Sequence, residues 1–341
     1  MGNLKLGLQL GYWGGGPNPK MVEIVQEAEQ LGYDAVFTAE AYGSDVFTPL
    51  AWIGAHTSKI RLGTGIAQLS ARAPTATAMA AMTLDHLSGG RMILGLGASG
   101  PQVVEGWYGQ PFGKPLARTR EYINIIRQVL ARKDPVVNEG EHYPLPFTGD
   151  GAWGLGKPLK SIVHPLREDL PIFLGAEGPK NVTMTAEIAD GWLPLYYSPF
   201  RQEVYADQLK GAKPGFEIMQ GMPVFICDDD AIEETLVPMK HSLALYIGGM
   251  GAKSRNFHNE LVKRMGFEEA AEKIQDLYLD GKKDEAAQAV PTQLADELSL
   301  VGSVDRIKDR LQVWEETPVT SLLVSARSQD ELRTFADLVL G

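Results

Sequence analysis

The chain has 341 residues, of which 44% are hydrophobic and 22% are charged, and its formal net charge is −11. This composition is typical of a globular protein, and the acidic balance without a basic block argues against nucleic acid or a membrane as a partner. The single cysteine, Cys227, excludes an intrachain disulfide and a metal site built from cysteines. Without a leader pattern or an apolar run of about 18 residues, the sequence predicts a cytoplasmic protein.

Short apolar segments alternate with helical patterns along most of the chain. In the first unit, apolar residues recur at helical spacing after such a segment, and Gly32 follows them as a helix terminator. We predict eight strands, at residues 4–10, 34–38, 60–66, 91–95, 171–175, 191–193, 217–227 and 321–324. We predict helices at residues 21–31, 49–57, 75–87, 118–132, 179–189, 304–315 and 329–340.

Two stretches interrupt this alternation. Residues 134–169 are rich in proline, glycine and aromatic residues, which predicts an irregular excursion, whereas residues 230–290 read as a long helical insertion. Strands that are apolar on both faces are typical of a parallel sheet covered by helices. We therefore expect one (β/α)8 barrel domain over residues 1–341, with an open doubly wound α/β sheet as the alternative.

The stretch LGLGASG has the glycine spacing of a dinucleotide-binding turn, G-x-G-x-x-G, in Gly95, Gly97 and Gly100. Such a turn needs a helix that begins at the last glycine, in the first unit of the fold. Here the unit is the fourth, and the next helical pattern begins only near Arg118. We therefore predict a tight turn with glycines at positive φ, or glycines that let a ligand approach the backbone.

A second glycine turn, Gly175-Ala176-Glu177-Gly178, precedes a predicted helix whose first residue is Pro179. The free N–H groups and the dipole at the start of a helix favour an anion. The sequence therefore predicts a phosphate site at this turn, and an ordinary strand-to-helix loop is the alternative.

Glu40 directly follows the second predicted strand, and in a barrel this position points a carboxylate at the active-site mouth; a solvated loop acid is the alternative. Five aromatic residues fall at the same expected face, either around a flat ring or at the edge of the core: Tyr12, Trp13, Tyr42, Trp107 and Tyr108. The six histidines lack zinc-binding spacing. No nucleophile elbow or P-loop is present, so we predict no metal, acyl transfer or nucleotide hydrolysis.

Five segments, taken in their order and spacing, carry a family resemblance: GYDAVFTAEAYG, KIRLGTGI, TLDHLSGGRMILGLGASG, RTREYINIIRQVL and LGAEGPKNVTMTAEIADGW. Together they resemble the bacterial-luciferase-like family, and more narrowly its actinobacterial branch that uses the deazaflavin coenzyme F420. The most specific run is DHLSGGRMILGLGASG. The resemblance covers nearly the whole chain. It implies a luciferase-like TIM barrel with insertions after strands four and seven and a flavin-like ring at its carboxyl end.

The resemblance also implies the cofactor-binding residues. Glu40 matches an acidic position beside the polar ring edge, and Gln68 matches a polar ring contact. Gly65-Ile66 matches a bulge that often contains a non-prolyl cis peptide behind the ring. Gly97-Ala98-Ser99 would approach the ribityl chain or the phosphate, and Gly175-Ala176-Glu177-Gly178 would hold the phosphate.

The chain departs from the catalytic pattern of some relatives. Several deazaflavin dehydrogenases carry Asp-His after strand two, whereas Glu40-Ala41 stand here. Others have a glutamate where Gly100-Pro101 stand, and Glu105 is then the nearest acid. Sugar-phosphate dehydrogenase activity is therefore not expected, and Glu40 and Glu105 are the candidates for a catalytic acid or base.

The resemblance thus predicts an oxidoreductase that transfers a hydride between C5 of F420 and a small organic substrate, with the five aromatic residues above as the substrate wall. Carbon in place of the flavin N5 disfavours oxygen chemistry, which favours a dehydrogenase or reductase. One alternative is an FMN-dependent monooxygenase supplied by a partner reductase, and another is a non-catalytic cofactor-binding protein. We also expect a homodimer.

Overall fold

The computed structural model describes residues 4–251, 256–326 and 328–341. The strands in chain order are β1 (Lys5–Gln9), β2 (Ala35–Thr38), β3 (Arg61–Thr64), β4 (Ala67–Gln68), β5 (Met92–Gly97), β6 (Ile172–Gly175), β7 (Gly191–Leu193), β8 (Glu217–Met222), β9 (Val224–Ile226), β10 (Leu300–Gly302) and β11 (Ser321–Val324). The α-helices are α1 (Met21–Gln30), α2 (Phe47–Gly54), α3 (Pro74–Ser88), α4 (Pro101–Gly106), α5 (Pro115–Ala131), α6 (Pro179–Ile188), α7 (Glu203–Ala206), α8 (Ile232–Thr235), α9 (Val237–Ala244), α10 (Phe257–Arg264), α11 (Glu268–Leu279), α12 (Lys283–Gln288), α13 (Thr292–Glu297), α14 (Val304–Glu315) and α15 (Gln329–Val339).

Within the described residues, eight parallel strands close into a barrel. The hydrogen-bonded order is β3-β2-β1-β11-β8-β7-β6-β5, and β5 also pairs with β3, which closes the sheet. β4 pairs with the end of β5 after a short bulge, and β9 and β10 form a separate parallel pair. The closed ring of strands confirms the predicted (β/α)8 barrel and excludes the open sheet, whose edge strands would not pair with each other.

Apolar side chains from five strands fill the inside of the barrel: Ala35, Phe37, Ile93, Phe173, Met219 and Leu323. Glycines on the neighbouring strands make room for them. A Cβ atom added at Gly63 would lie 2.3 Å from the Phe37 ring, and one added at Gly95 would lie 1.9 Å from the backbone oxygen of Thr64. Because packing leaves no space for a side chain there, these glycines are a requirement of the barrel.

Charged residues close the amino end of the barrel. Arg61, the first residue of β3, donates to both carboxylate oxygens of Glu217 at 2.8 Å and also bonds to Asp34. Lys5 Nζ lies 3.6 Å from Glu217 and 3.7 Å from Asp34. Burial would lower the pKa of Arg61, but its hydrogen bonds to the two carboxylates outweigh burial and raise it. This end of the barrel is therefore a network of paired charges.

The glycine-rich stretch at the end of β5 differs from the prediction in two ways. The strand extends to Gly97, and α4 begins at Pro101, directly after the extended N-cap residue Gly100. The expectation of no helix before residue 118 was therefore wrong, because a six-residue helix is too short to show apolar periodicity. The positive φ angle falls on Ser99, at 59°, and on none of the three motif glycines.

The predicted seventh strand splits at Pro223. Residues before the proline form β8 within the barrel, whereas those after it form β9, which pairs with β10 outside it. Proline has no N–H to donate to the ladder, so the chain leaves the barrel there. Cys227 is a half-buried free thiol just beyond β9.

The two insertions have different structures. Residues 134–169 contain neither helix nor extended strand, only an isolated antiparallel bridge between Asn138 and Leu145. The described residues between 230 and 290 are mostly helical, as predicted, and include a π-helical turn at Leu245–Gly249. The start of α10 lies next to the glycine turn after β6, since a Cβ atom at Gly178 would be 3.4 Å from the Phe257 ring. No described helix is long and apolar enough to cross a membrane.

Candidate active site

A large cavity lies at the carboxyl ends of the barrel strands. Its volume is about 1880 Å³, and its floor includes Phe37, Met219 and Leu323 from the barrel interior. Pockets for one small ligand usually measure about 300–1,000 Å³. The cavity is therefore large enough for a cofactor and a substrate together.

Every residue predicted to bind the cofactor lines this cavity: Glu40, Gly65, Ile66, Gln68, Gly97, Ala98, Ser99, Gly175, Ala176, Glu177 and Gly178. Three of the five predicted substrate-wall residues, Tyr12, Trp13 and Tyr42, also line it. The barrel thus brings together the ends of five predicted strands that lie far apart in the sequence.

Three other predicted residues do not line the cavity. Glu105 lies on the exposed side of α4, where its carboxylate accepts from the backbone N–H of Phe112 at 3.3 Å. Trp107 is 64% exposed, and its ring lies 6.3 Å from that of Tyr42. The Tyr108 hydroxyl donates to the backbone oxygen of Ala41 at 3.2 Å. Trp107 and Tyr108 therefore lie behind the loop that follows β2.

A bulge between β3 and β4 forms one wall of the cavity. The Gly65–Ile66 peptide is cis, and the Gly65 N–H donates to the backbone oxygen of Thr38 at 2.7 Å. A Cβ atom at Gly97 would lie 2.8 Å from the Ile66 side chain, and one at Gly175 would lie 3.3 Å from it. Because these two positions are glycines, Ile66 can lie across the barrel mouth as an apolar shelf.

Glu40 is held by a buried ion pair beside this shelf. Arg72 donates to its two carboxylate oxygens at 2.9 and 2.7 Å, and the backbone N–H of Gln68 donates to it at 3.0 Å. The Glu40 side chain is only 4% exposed. The hydrogen bond to Glu40 raises the pKa of Arg72, so the guanidinium stays charged. Glu40 is thus a fixed acceptor whose oxygens already have donors.

The turn from Gly175 to Gly178 supplies a helix N-terminus to the opposite side of the cavity. Gly178 is the extended N-cap of α6, and Pro179 is its first residue, as the sequence predicts. Lys180 and Arg264 also line the cavity near this turn, and Lys114 lines it as well. N–H groups at a helix start together with cationic side chains favour an anionic group.

A second polar cluster lies between this turn and the helical insertion. Glu177 accepts from the backbone N–H of Leu195 at 2.8 Å, and its other oxygen lies 3.7 Å from Nδ1 of His258. The rings of Tyr196 and Tyr246 lie edge-on to the imidazole, with centroids 6.1 and 5.1 Å away. Burial raises the pKa of both tyrosines, so their hydroxyls stay protonated.

Several buried polar atoms at the cavity have no hydrogen-bond partner within the described residues: Gln68 Oε1, Glu177 Oε2 and His258 Nδ1. A buried polar atom without a partner costs about 1–3 kcal/mol. Such atoms at the wall of a large cavity indicate a site that a polar ligand completes.

Four residues of the site escaped the sequence analysis: Arg72, Tyr196, Tyr246 and His258. Arg72 lies four residues after Gln68, where no motif marks it, and the other three reach the cavity through tertiary packing. Only His258 carries a local signal, because Asn256 caps the helix that begins just before it. Among the residues that the structure describes, no group of three or more His, Cys, Asp or Glu could hold a metal ion.

Comparison with known proteins gives the family. A model of the family described as luciferase-like monooxygenase matches residues 10–321. The chain belongs to the luciferase-like monooxygenase family. It is 55% identical, over 98% of its length and 99% of the relative, to a Mycobacterium tuberculosis protein with the provisional name coenzyme F420-dependent oxidoreductase Rv3520c.

More distant members of the family include reductases. The chain is 27% identical, over 91% of each protein, to 5,10-methylenetetrahydromethanopterin reductase of Archaeoglobus fulgidus. Its fold is similar to that of the coenzyme F420-dependent tetrahydromethanopterin reductase of Methanopyrus kandleri, with a TM-score of 0.78 at 23% identity. The alignment covers 99% of this chain and 98% of that one. This likeness confirms the luciferase-like form of the barrel.

Proposed function

We propose that this chain is an F420-dependent oxidoreductase that transfers a hydride between C5 of the deazaflavin and a small organic substrate. The observation that carries the proposal is the common location of all eleven predicted cofactor residues around one cavity at the carboxyl end of the barrel. The relative with 55% identity, which is named after the same coenzyme, supports it. We also propose that residues 1–341 act as one barrel domain.

The side chains present fit a deazaflavin. Gln68 Oε1 is a buried acceptor without a partner, and the pyrimidine edge of a deazaflavin offers an N–H donor. Ile66 supplies an apolar shelf for a flat ring, between two glycines that leave it room. The turn from Gly175 to Gly178 would receive the phosphate through its backbone N–H groups. Bound there, the deazaflavin supplies hydride chemistry at C5.

The contacts of Glu40 favour a positioning role over proton transfer. Its carboxylate already accepts from both Arg72 nitrogens and from the Gln68 backbone. The Gln68 side chain in turn donates to the Glu40 backbone oxygen at 3.0 Å. These bonds hold Gln68 in place at the polar ring edge, and none of them has to break during turnover.

Aromatic residues favour an apolar substrate. Tyr12, Trp13 and Tyr42 from the loops after β1 and β2 line the cavity together with Tyr196 and Tyr246. Partial desolvation and the nearby Tyr42 raise the pKa of Tyr12, so its phenol carries no charge at neutral pH. A neutral substrate with a large apolar part is the chemistry that this wall accepts.

Separate titrations of the purified protein with F420 and with FMN test the cofactor. We expect saturable binding of F420 with an affinity at least about tenfold above that of FMN. Tight FMN binding without any response to F420 would instead favour the flavin monooxygenase. Binding of F420 without hydride transfer to or from any reducible or oxidisable compound would favour a non-catalytic protein.

We also propose that the protein is a cytoplasmic homodimer. Large apolar side chains are exposed on α2, α3 and the irregular insertion: Trp52, Met79, Leu87 and Ile162. The insertion lies against α3, since His86 bonds to the backbone oxygen of His164 at 2.8 Å. Contiguous exposed apolar surface is typical of an interface.

Light scattering tests the homodimer. We expect twice the chain mass for the wild type and one chain mass for a Leu87→Asp, Ile162→Asp double variant. Leu279→Asp on α11, where the side chain is 49% exposed, is the matched control and should leave the mass unchanged. A monomeric wild type would contradict this proposal.

A further inference from the structure

His258 and Glu177 present two complementary polar atoms that have no partners. Glu177 Oε2 and His258 Nδ1 are both buried and unbonded, and they lie 3.7 Å apart. An acceptor and a ring nitrogen that face each other need to approach by less than one ångström to form a hydrogen bond, which usually measures about 2.7–3.2 Å. One such bond would satisfy both atoms. The pair is therefore poised to form a carboxylate–histidine dyad.

The surroundings hold both side chains in this orientation. The other Glu177 oxygen accepts from the Leu195 N–H, which fixes the plane of the carboxylate. The His258 backbone N–H donates to the Asn256 side chain at 3.0 Å in the first turn of α10. The rings of Tyr196 and Tyr246 lie nearly perpendicular to the imidazole, at 80° and 88°, on its flanks. The imidazole is therefore packed rather than free to rotate.

The geometry leaves one ring nitrogen for a ligand. Because Nδ1 faces the carboxylate, Nε2 is the nitrogen that can reach a molecule in the cavity, which both His258 and Glu177 line. A carboxylate on Nδ1 fixes the tautomer with the proton on Nδ1 and the free lone pair on Nε2. This is the arrangement of a general base.

We propose that His258 is the proton acceptor and donor for the substrate, that Glu177 positions it, and that the substrate is an apolar alcohol or its ketone. The proposal rests on the proposed function above. In the oxidative direction the hydroxyl proton passes to Nε2, the O–H electrons form the C=O bond, and the hydride leaves carbon for the oxidised deazaflavin. In the reductive direction the imidazolium returns that proton to the oxygen as the hydride arrives at carbon.

The other ionisable groups nearby are less suited to this role. Glu40 is engaged by Arg72 and by the backbone N–H of Gln68. The phenols of Tyr196 and Tyr246 are held in the protonated form by burial, so they can donate hydrogen bonds but do not serve as bases.

The dyad is tested first without cofactor, by ring ¹⁵N NMR of the histidine-labelled protein. Only six histidines contribute signals, and the one lost in His258→Asn identifies His258. We expect a protonated Nδ1 and a bare Nε2 in its neutral form, and loss of this fixed tautomer in Glu177→Gln. A bare Nδ1 in the wild type, or no change in Glu177→Gln, would overturn the dyad.

The catalytic role is tested with F420 and a panel of aliphatic, alicyclic and aromatic alcohols. We expect His258→Asn to lower kcat by about 100-fold, with partial rescue by added imidazole, while its affinity for F420 stays within about twofold of the wild type. His241→Asn is the matched control, because His241 is an exposed residue of the same insertion outside the cavity. It should retain full activity.

The remaining outcomes separate the two proposals. A loss of about tenfold or more in F420 affinity on His258→Asn would make His258 a cofactor ligand and overturn its role as a base. A wild type that binds F420 but oxidises no alcohol of the panel would overturn the substrate class. If the wild type binds no F420, the proposed function fails, whereas the NMR experiment still decides whether the dyad exists.

Discussion

The two ends of the barrel differ in how completely their charged side chains are paired. At the amino end, Arg61 bonds to Glu217 and Asp34, and Lys5 approaches the same carboxylates, so that Arg61 Nε is the atom of Arg61 left without a partner. At the carboxyl end, Arg72 pairs with Glu40, but Glu177 and His258 beside the cavity each keep a buried atom that bonds to nothing in the described chain. Buried unpaired atoms cost stability, so they persist where a ligand completes them. The comparison indicates that the amino end stabilises the fold and the carboxyl end carries the chemistry.

The largest loss of stability is expected from a substitution in the wall of the barrel, between its two ends. Gly95→Ala would place a Cβ atom 1.9 Å from a backbone oxygen of β3, which cannot move aside. We expect a loss of about 3 kcal/mol or more in the free energy of unfolding, measured by urea denaturation. Gly100→Ala, where the nearest atom is the flexible Gln102 side chain at 3.2 Å, is the control and should cost far less. Equal costs would contradict the packing role of Gly95.

At the amino end, Arg61→Ala should affect stability without affecting binding. The substitution leaves the partly buried Glu217 and Asp34 without their main cation, which should cost about 2–3 kcal/mol. Cofactor affinity should not change. Arg333→Ala removes an exposed ion pair and should cost less than about 1 kcal/mol. A loss of cofactor affinity in Arg61→Ala would contradict the assignment of the amino end to stability alone.

At the carboxyl end, Arg72→Gln should affect cofactor binding as well as stability. Without Arg72 the carboxylate of Glu40 loses both charged donors, and Gln68 loses its fixed neighbour. We expect F420 affinity to fall by about tenfold, with a cost in unfolding free energy comparable to that of Arg61→Ala, because the Glu40 carboxylate stays buried without its cation. Arg120→Gln, in an exposed ion pair with Glu187, should change neither quantity. An unchanged F420 affinity in Arg72→Gln would contradict the proposal that Glu40 belongs to the cofactor site.

Lowering the pH should reduce the stability that Glu217 contributes at the amino end of the barrel. Burial works to raise the pKa of Glu217, but hydrogen bonds and charge from Arg61 and Lys5 outweigh burial and lower the pKa below its ordinary value of 4.5. A lowered carboxylate pKa adds stability above pH 4.5, and that stability is lost as pH falls through the pKa of the folded state. In urea denaturation at several pH values, the stability difference between wild type and Glu217→Gln should shrink below pH 4.5. A constant difference would contradict this.

Much of the fold follows from local pattern. The eight barrel strands lie within a few residues of the predicted ones, because apolar runs bounded by glycine, proline and helical segments are a local signal. The short helix α4 escaped prediction because six residues carry no period, and the break at Pro223 was missed because the apolar run continues beyond it. The family resemblance, rather than periodicity, pointed to the bulge at Gly65–Ile66.

The candidate site was predictable only where its residues come from strand ends. Glu40, Gln68 and the two glycine turns follow predicted strands, so a barrel brings them to one mouth. Trp107 was proposed on the same reasoning and Glu105 from the family resemblance, but Glu105 on α4 and Trp107 just after it do not line the cavity. Arg72 and His258 belong to no predicted strand end, and even the Asn256 cap next to His258 marks only the start of a helix and not the cavity that the side chain reaches.

The sequence by itself determined the alternation of strands and helices, the glycines that the barrel requires and the family to which the chain belongs. Each of these depends on residues that are close along the chain or on the order of motifs. Only the tertiary structure decided which charges are paired. It placed Arg72 on Glu40 across 32 positions and brought His258 of the insertion to Glu177 after β6. Such long-range contacts depend on how helices pack on the closed barrel, which no local pattern encodes.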